Sequence, residues 1–249
     1  MSTGIGVVVP YDFALDRELW RWTPDDADLH LTRTPFEELP VGVLQAAAVG
    51  DPSVVTRAVR DLRVVEPRVV AYACTSGSFV GGSAAEKVLA AAMAGAGAAA
   101  AVTTSGALLT ALRTLGVRRA AVATPYDDEV TARLSDYLGE AGVTVTGTHN
   151  LGLTDHIWTV PAETTRGLVT SAVTGDAEAV FVSCTNLRTY DLIAPLEAEL
   201  GIPVLTANQV TIWAALAAAG LHAVGPGQRL LEHTPLPEAL DDYTLSREV

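Results

Sequence analysis

Two cysteines, Cys74 and Cys184, are the only thiols in a chain of 249 residues. Each stands where chemistry could use it. Cys74 follows the apolar run Val69–Ala73 and opens Cys74-Thr75-Ser76-Gly77-Ser78; Cys184 follows Ala179–Ser183 and opens Cys184-Thr185-Asn186. Runs apolar on both faces read as buried strands of a parallel sheet, and the carboxyl ends of such strands face the ligand crevice. Both thiols are therefore expected in a pocket, as nucleophiles or as acid/base groups. The loops after them are expected to supply unpaired N–H groups at helix starts. Those groups attract a carboxylate and favour thiolate, so at least one thiol is expected to have a depressed pKa. A free cysteine is commonly a small buried hydrophobe; two at corresponding strand ends argue for function. Thr185 and Asn186 join Cys184 as candidates to bind substrate.

Other chemistries find little support. The glycines of Ser76-Gly77-Ser78-Phe79-Val80-Gly81-Gly82 fit neither a phosphate loop nor a dinucleotide fingerprint. His30, His149, His156, His222 and His233 are scattered, and neither cysteine has a C-x-x-C or histidine neighbour, so no metal site is expected. No G-x-S-x-G elbow is present. The sequence thus predicts an enzyme without a cofactor. Arg188 has the fork for a carboxylate, but four residues past a strand end it is expected to face solvent. Tyr126, at a helix start, is the better pocket candidate, with Tyr11 or Asp12 as its counterpart in the first half.

The elements that must position these residues alternate. Ile5–Val9, Val69–Ala73, Ala120–Thr124, Val143–Thr148, Ala179–Ser183 and Pro203–Thr206 read as strands. Helical spacing marks Ser53–Val65, Ala84–Ala94, Ser105–Leu115, Asp127–Ala141, Glu163–Val173, Asp191–Leu200 and Asn208–Ala219. Asp51-Pro52 and Pro125-Tyr126-Asp127 are start signals, and Gly116, Gly142, Gly201 and Gly220 stand where helices should stop. This is an α/β doubly wound pattern. Val7-Val8-Val9-Pro10-Tyr11-Asp12 resembles Val122-Ala123-Thr124-Pro125-Tyr126-Asp127, and the run into Cys74 resembles the run into Cys184 at a nearly equal offset. Two lobes follow: residues 1–103, completed by 207–249, and residues 104–206.

Composition bounds the setting. Hydrophobic residues make up 49% of the chain, enough for a large core. The start, MSTGIGVVVPYDF, shows no signal peptide, and the Ala/Gly-rich stretch near Val88–Val102 is interrupted by Gly95 and Gly97, so no membrane span is expected. Reduced thiols in a cytoplasmic protein are the better expectation than a disulfide. Sixteen Lys+Arg against 29 Asp+Glu leave a net charge of −13, which disfavours nucleic acid or an anionic membrane as partner. A small carboxylate remains the expected partner, and self-association into a homo-oligomer stays open.

The chain resembles the aspartate/glutamate racemase superfamily, in the branch holding maleate cis-trans isomerases and arylmalonate decarboxylases. The resemblance rests on Ile5-Gly6-Val7-Val8-Val9-Pro10, Cys74-Thr75-Ser76, Leu112–Arg119 leading into Ala123-Thr124-Pro125-Tyr126, Ser183-Cys184-Thr185-Asn186, and Asn208-Gln209 with Trp213. It implies two pseudo-symmetric Rossmann-like lobes with the active site between them and one cysteine from each on opposite faces of the substrate. It also implies a carboxylate pocket at Thr75, Ser76 and Tyr126. The decarboxylase branch typically has glycine at the first cysteine, so Cys74 points to the two-cysteine branch. The chain departs from maleate isomerases at Tyr11-Asp12-Phe13, where those carry Ser-Ser-Asn. The resulting expectation is a cofactor-independent isomerase or racemase. An arylmalonate-type decarboxylase and a small-acid binding protein without turnover are the alternatives.

Overall fold

The computed structural model describes residues 2–235, so the end of segment 207–249 falls outside the described residues. The chain runs β1 (Thr3–Val9), α1 (Asp16–Trp20), β2 (Ala27–Arg33), α2 (Val43–Val49), α3 (Pro52–Leu62), β3 (Val69–Tyr72), α4 (Thr75–Phe79), α5 (Gly82–Gly95), β4 (Ala101–Thr103) and α6 (Thr104–Thr114). It continues through β5 (Arg119–Thr124), α7 (Asp128–Glu140), β6 (Thr144–Asn150), α8 (Ala162–Ala172), β7 (Ala179–Val182), α9 (Tyr190–Leu200), β8 (Val204–Thr206) and α10 (Ala207–Ala218). Two four-stranded sheets result, ordered β2-β1-β3-β4 and β6-β5-β7-β8, with every pairing parallel. The two orders are the same when numbered from each sheet's first strand. Helices flank both sheets, which makes this an α/β fold, as the alternation of elements predicts.

Local chemistry explains where the elements begin. Asp51 caps α3 by accepting from Ser53 N at 2.8 Å with Pro52 in the first turn, and Asp127 caps α7 by accepting from Val130 N at 2.9 Å. α9 stops at Gly201, whose φ of 73° lies in the left-handed region that glycine adopts without strain. Strands β3 and β7 are buried along their whole length, as strands covered on both faces must be.

Two strands differ from expectation. β2 is an edge strand whose Ala27 and Leu29 are buried while Asp28 is exposed, so one apolar face alternates with a polar one and no doubly apolar run appears. β4 has three residues inside an Ala/Gly-rich stretch that carries no strand period. Short helices α1, α2 and α4 were likewise unmarked by helical spacing.

α6 and α10 each follow the last strand of their own sheet and pack against one another, with Thr104 Oγ1 and Thr211 Oγ1 2.8 Å apart. α10 also touches β3 and β4, and its inner face from Ala207 to Leu216 is buried throughout. This helix pair ties the sheets together and leaves the carboxyl ends of β3 and β7 to carry the site. Among the described residues no helix is long and apolar enough to cross a membrane.

Candidate active site

Cys74 sits two residues past β3, in extended backbone (φ −142°), and is the N-cap of α4. Alternation along a strand puts residues two apart on one face. Tyr72 and Cys74 are such a pair, and the Tyr72 hydroxyl hydrogen-bonds the Cys74 thiol while donating to Val49 O at 2.7 Å. α4 forms although its Ser/Gly content reads as loop, because the Ser78 hydroxyl reaches back to Cys74 O and Thr75 O, both at 2.8 Å. Gly77 is required for close approach. A methyl group there would collide with the Tyr72 hydroxyl and stand 3.1 Å from Cys74 Sγ.

Cys184 ends the corresponding strand of the second sheet, but its backbone has φ +86°, a left-handed conformation that a side chain adopts at a cost. No helix follows until Tyr190. The thiol accepts from Asn186 N at 3.4 Å and is hydrogen-bonded by the Tyr126 hydroxyl. Tyr126 is 2% exposed, and its phenol is held far above its ordinary pKa by burial and by the two thiols.

Burial pushes Cys74 up to about 11 and Cys184 up to about 12, outweighing the hydrogen bonds from Tyr72, Gly77 and Asn186 that pull the other way. The expected depressed thiol pKa is thereby corrected. Two physical reasons account for it: α4 has only five residues, hence a weak dipole, and Cys184 lacks a helix start beside it. A charge on Cys74 also disfavours a charge on Cys184.

The other sequence-derived candidates distribute as follows. Ser76 Oγ lies 4.0 Å from Cys74 Sγ, and Thr75 is buried with a hydroxyl that has no hydrogen-bond partner. Thr185 is buried, its carbonyl accepting from Asn208 Nδ2 at 2.9 Å. The Asn186 amide is engaged by the chain after β1: its Oδ1 accepts from Ala14 N at 2.9 Å and its Nδ2 donates to Asp12 O at 3.2 Å. Arg188 is exposed, as expected.

Sequence reasoning left the roles of Tyr11 and Asp12 open. Asp12 is the residue whose charge both thiols feel, and burial raises its own pKa while Arg33 lowers it. Tyr11 stacks edge-on against Phe36, donates to Leu39 O at 3.4 Å and packs against the core cluster that holds Cys74. Tyr72 was missed; its spacing of two from Cys74 was the available signal.

Paired sheets of one order, each presenting a buried thiol under a tyrosine hydroxyl, define an α/β architecture with a candidate site at two strand ends. A family model described as arylmalonate decarboxylase matches residues 46–231, and the chain belongs to that family of enzymes. It is 32% identical to the arylmalonate decarboxylase of Bordetella bronchiseptica over 87% of this chain and 90% of that one. A solved structure of arylmalonate decarboxylase, in liganded form with a glycine replaced by cysteine and a cysteine by serine, superposes with a TM-score of 0.84 at 32% identity, covering 92% of this chain and 98% of that one. The maleate cis-trans isomerase of Nocardia farcinica, solved as a cysteine-to-serine mutant with a covalently bound succinylcysteine intermediate, matches with a TM-score of 0.82 at 26% identity, covering 93% and 98%.

Proposed function

We propose that this chain is a cofactor-independent isomerase or racemase acting on a small carboxylate through two opposed cysteines, Cys74 and Cys184. The observation that carries this reading is the pair of buried free thiols at the ends of β3 and β7, corresponding strands of two sheets with the same order. The succinylcysteine of the Nocardia farcinica relative supports cysteine chemistry on such a frame.

In a racemisation, one thiolate removes the α-proton and the opposite thiol returns a proton to the other face. In an alkene isomerisation, Cys74 adds to one carbon, the new single bond rotates, and Cys184 assists protonation before Cys74 departs. Either route needs one thiolate, and burial keeps both thiols protonated at neutral pH. Asp12 raises both thiol pKa values further, so the thiolate of either route is a minor species drawn on as it reacts. The charge of Asp12 also opposes a second substrate carboxylate, so an acid with one carboxylate near the sulfurs fits best. The hydroxyls of Thr75, Ser76 and Tyr126 would stabilise the enolate-like charge.

A second reading has its own support: the family model and the 32% identical relative are arylmalonate decarboxylases. In it Cys184 protonates the carbanion left by CO₂, and Cys74, at the position where that branch typically has glycine, has no role. Proton NMR of candidate acids with enzyme in D₂O separates the two. Deuterium at the α-carbon or alkene isomerisation upholds our reading, CO₂ loss replaces it with the decarboxylase, and binding without turnover would leave a small-acid binding protein. Turnover should survive EDTA dialysis without added nucleotide or pyridoxal phosphate; a stoichiometric metal whose removal stops it overturns the cofactor-free part.

A further inference from the structure

One buried carboxylate takes no part in the chemistry above. Glu18, on α1, is 7% exposed, and none of its hydrogen-bond partners is a cation. Its Oε1 accepts from Thr189 N at 2.6 Å, Tyr190 N at 2.7 Å and Thr189 Oγ1 at 3.2 Å, and its Oε2 accepts from Asn208 Nδ2 at 3.3 Å. Desolvating a carboxylate is expensive, and it persists only where its lone pairs are met. Here they are met almost wholly by the turn that carries Cys184.

That turn has little of its own to hold it. Cys184 is in the left-handed region, and the bonds internal to the turn are Leu187 N to Cys184 O at 3.3 Å and Asn186 N to the sulfur. Strained backbone of this kind endures when its surroundings over-determine it. A cavity of about 530 Å³ opens beside the turn, lined by Ala14, Glu18, Arg188 and Thr189 among others, so on the cavity side the buried Leu187 does not by itself fix the turn. Polar bonds from residues 12–18 do: Asn186 is held by Ala14 and Asp12, while Thr189 and Tyr190 are held by Glu18. Asn208 Nδ2 bridges Glu18 and Thr185 O, closing the grip on the residue next to the cysteine.

Residues 12–18 continue from β1, which pairs directly with β3, the strand that delivers Cys74. The structure assigns to Glu18 the part of a positioning residue: a latch from the first sheet that sets where Cys184 stands relative to Cys74. Its catalytic consequence rests on the two-thiol reading above; its geometric consequence does not.

The test is Glu18→Gln in the full chain, which keeps the shape, removes the charge and places an amide donor against N–H donors. Iodoacetamide labelling of the two cysteine peptides, followed by mass spectrometry across pH, reads each thiol separately. The expected result is a several-fold change in Cys184 labelling and a moved inflection, with Cys74 unchanged. In the D₂O assay kcat should fall on the order of tenfold to a hundredfold while KM stays near its original value, as small misplacement of a reacting group predicts. Equal changes at both thiols, or none in a folded variant, would overturn the assignment. Selective change at Cys184 in a protein that turns over none of the acids would uphold the latch and sink the two-thiol chemistry. Should the glutamine variant fail to fold, Glu18→Asp, which withdraws the carboxylate by one methylene, is read the same way. Failure of both to fold would make Glu18 a folding determinant and end the proposal.

Discussion

The two cysteine-bearing halves of the candidate site are built differently. At the end of β3 the chain stays extended through Cys74 and enters a short helix at once, with the thiol under Tyr72 and against Gly77. At the end of β7 it turns left-handed at Cys184 and wanders five residues before α9, held by Asn186, Glu18 and Asn208. Strand order is shared, but thiol environment is not. Topology repeats where a sulfur is delivered; the local turn sets its backbone, its partners and its strain.

The largest test of this comparison removes each sulfur in turn. Cys74→Ala and Cys184→Ala should each lower turnover by about 10²- to 10⁴-fold, the usual worth of a positioned acid or base, with circular dichroism unchanged. If one variant keeps wild-type turnover, the halves are not partners in catalysis.

The next effect concerns protonation. A thiol whose pKa is raised is neutral below that value, so labelling should climb only at alkaline pH, with Cys74 (about 11) ahead of Cys184 (about 12). An inflection at or below the free-thiol value of about 8.5 at either peptide would contradict the burial argument. The same shifts act on stability. The contribution of these neutral thiols is fully present below the unfolded value and is lost as pH rises through the folded ones, so denaturation midpoints should drop in that alkaline window.

Backbone strain gives a smaller difference. Glycine relieves the left-handed position of Cys184 but does nothing for extended Cys74, so Cys184→Gly should be the more stable of the two glycine variants by about 1 kcal/mol in urea unfolding. The reverse order would mean that the turn is not strained. Smallest are the hydroxyls. Tyr72→Phe strands Val49 O and should cost about 1 kcal/mol, raising the labelling inflection of Cys74 alone; Tyr126→Phe should raise that of Cys184 alone. A cross effect would show that the two thiols share one hydroxyl.

Much of this frame could be read from residue patterns. The doubly apolar runs before both cysteines mark covered strands, and Asp51-Pro52 and Asp127 mark helix starts by chemistry local to a few residues. β2 escaped because an edge strand buries one face, and α4 because Ser and Gly disfavour helix unless, as here, Ser78 bonds back to Cys74 O. Of the candidate site, Cys74 and Cys184 were proposed from strand ends and Tyr126 from a helix start. Glu18 did not: a charged residue in Asp16-Arg17-Glu18-Leu19 looks like a solvated face, and only its contacts 171 residues along the chain make it a buried acceptor.

The amino-acid sequence by itself determined the alternation of strands and helices and the two positions where sulfur meets a strand end, because periodicity, caps and β-branching act over a few residues. Tertiary structure alone decided that burial raises both thiol pKa values, that Asp12 raises them further, and that the turn of Cys184 is gripped by residues 12–18. Desolvation and charge depend on what surrounds an atom from every side, and those neighbours come from the chain after β1, from α1 and from α10, far apart in the chain.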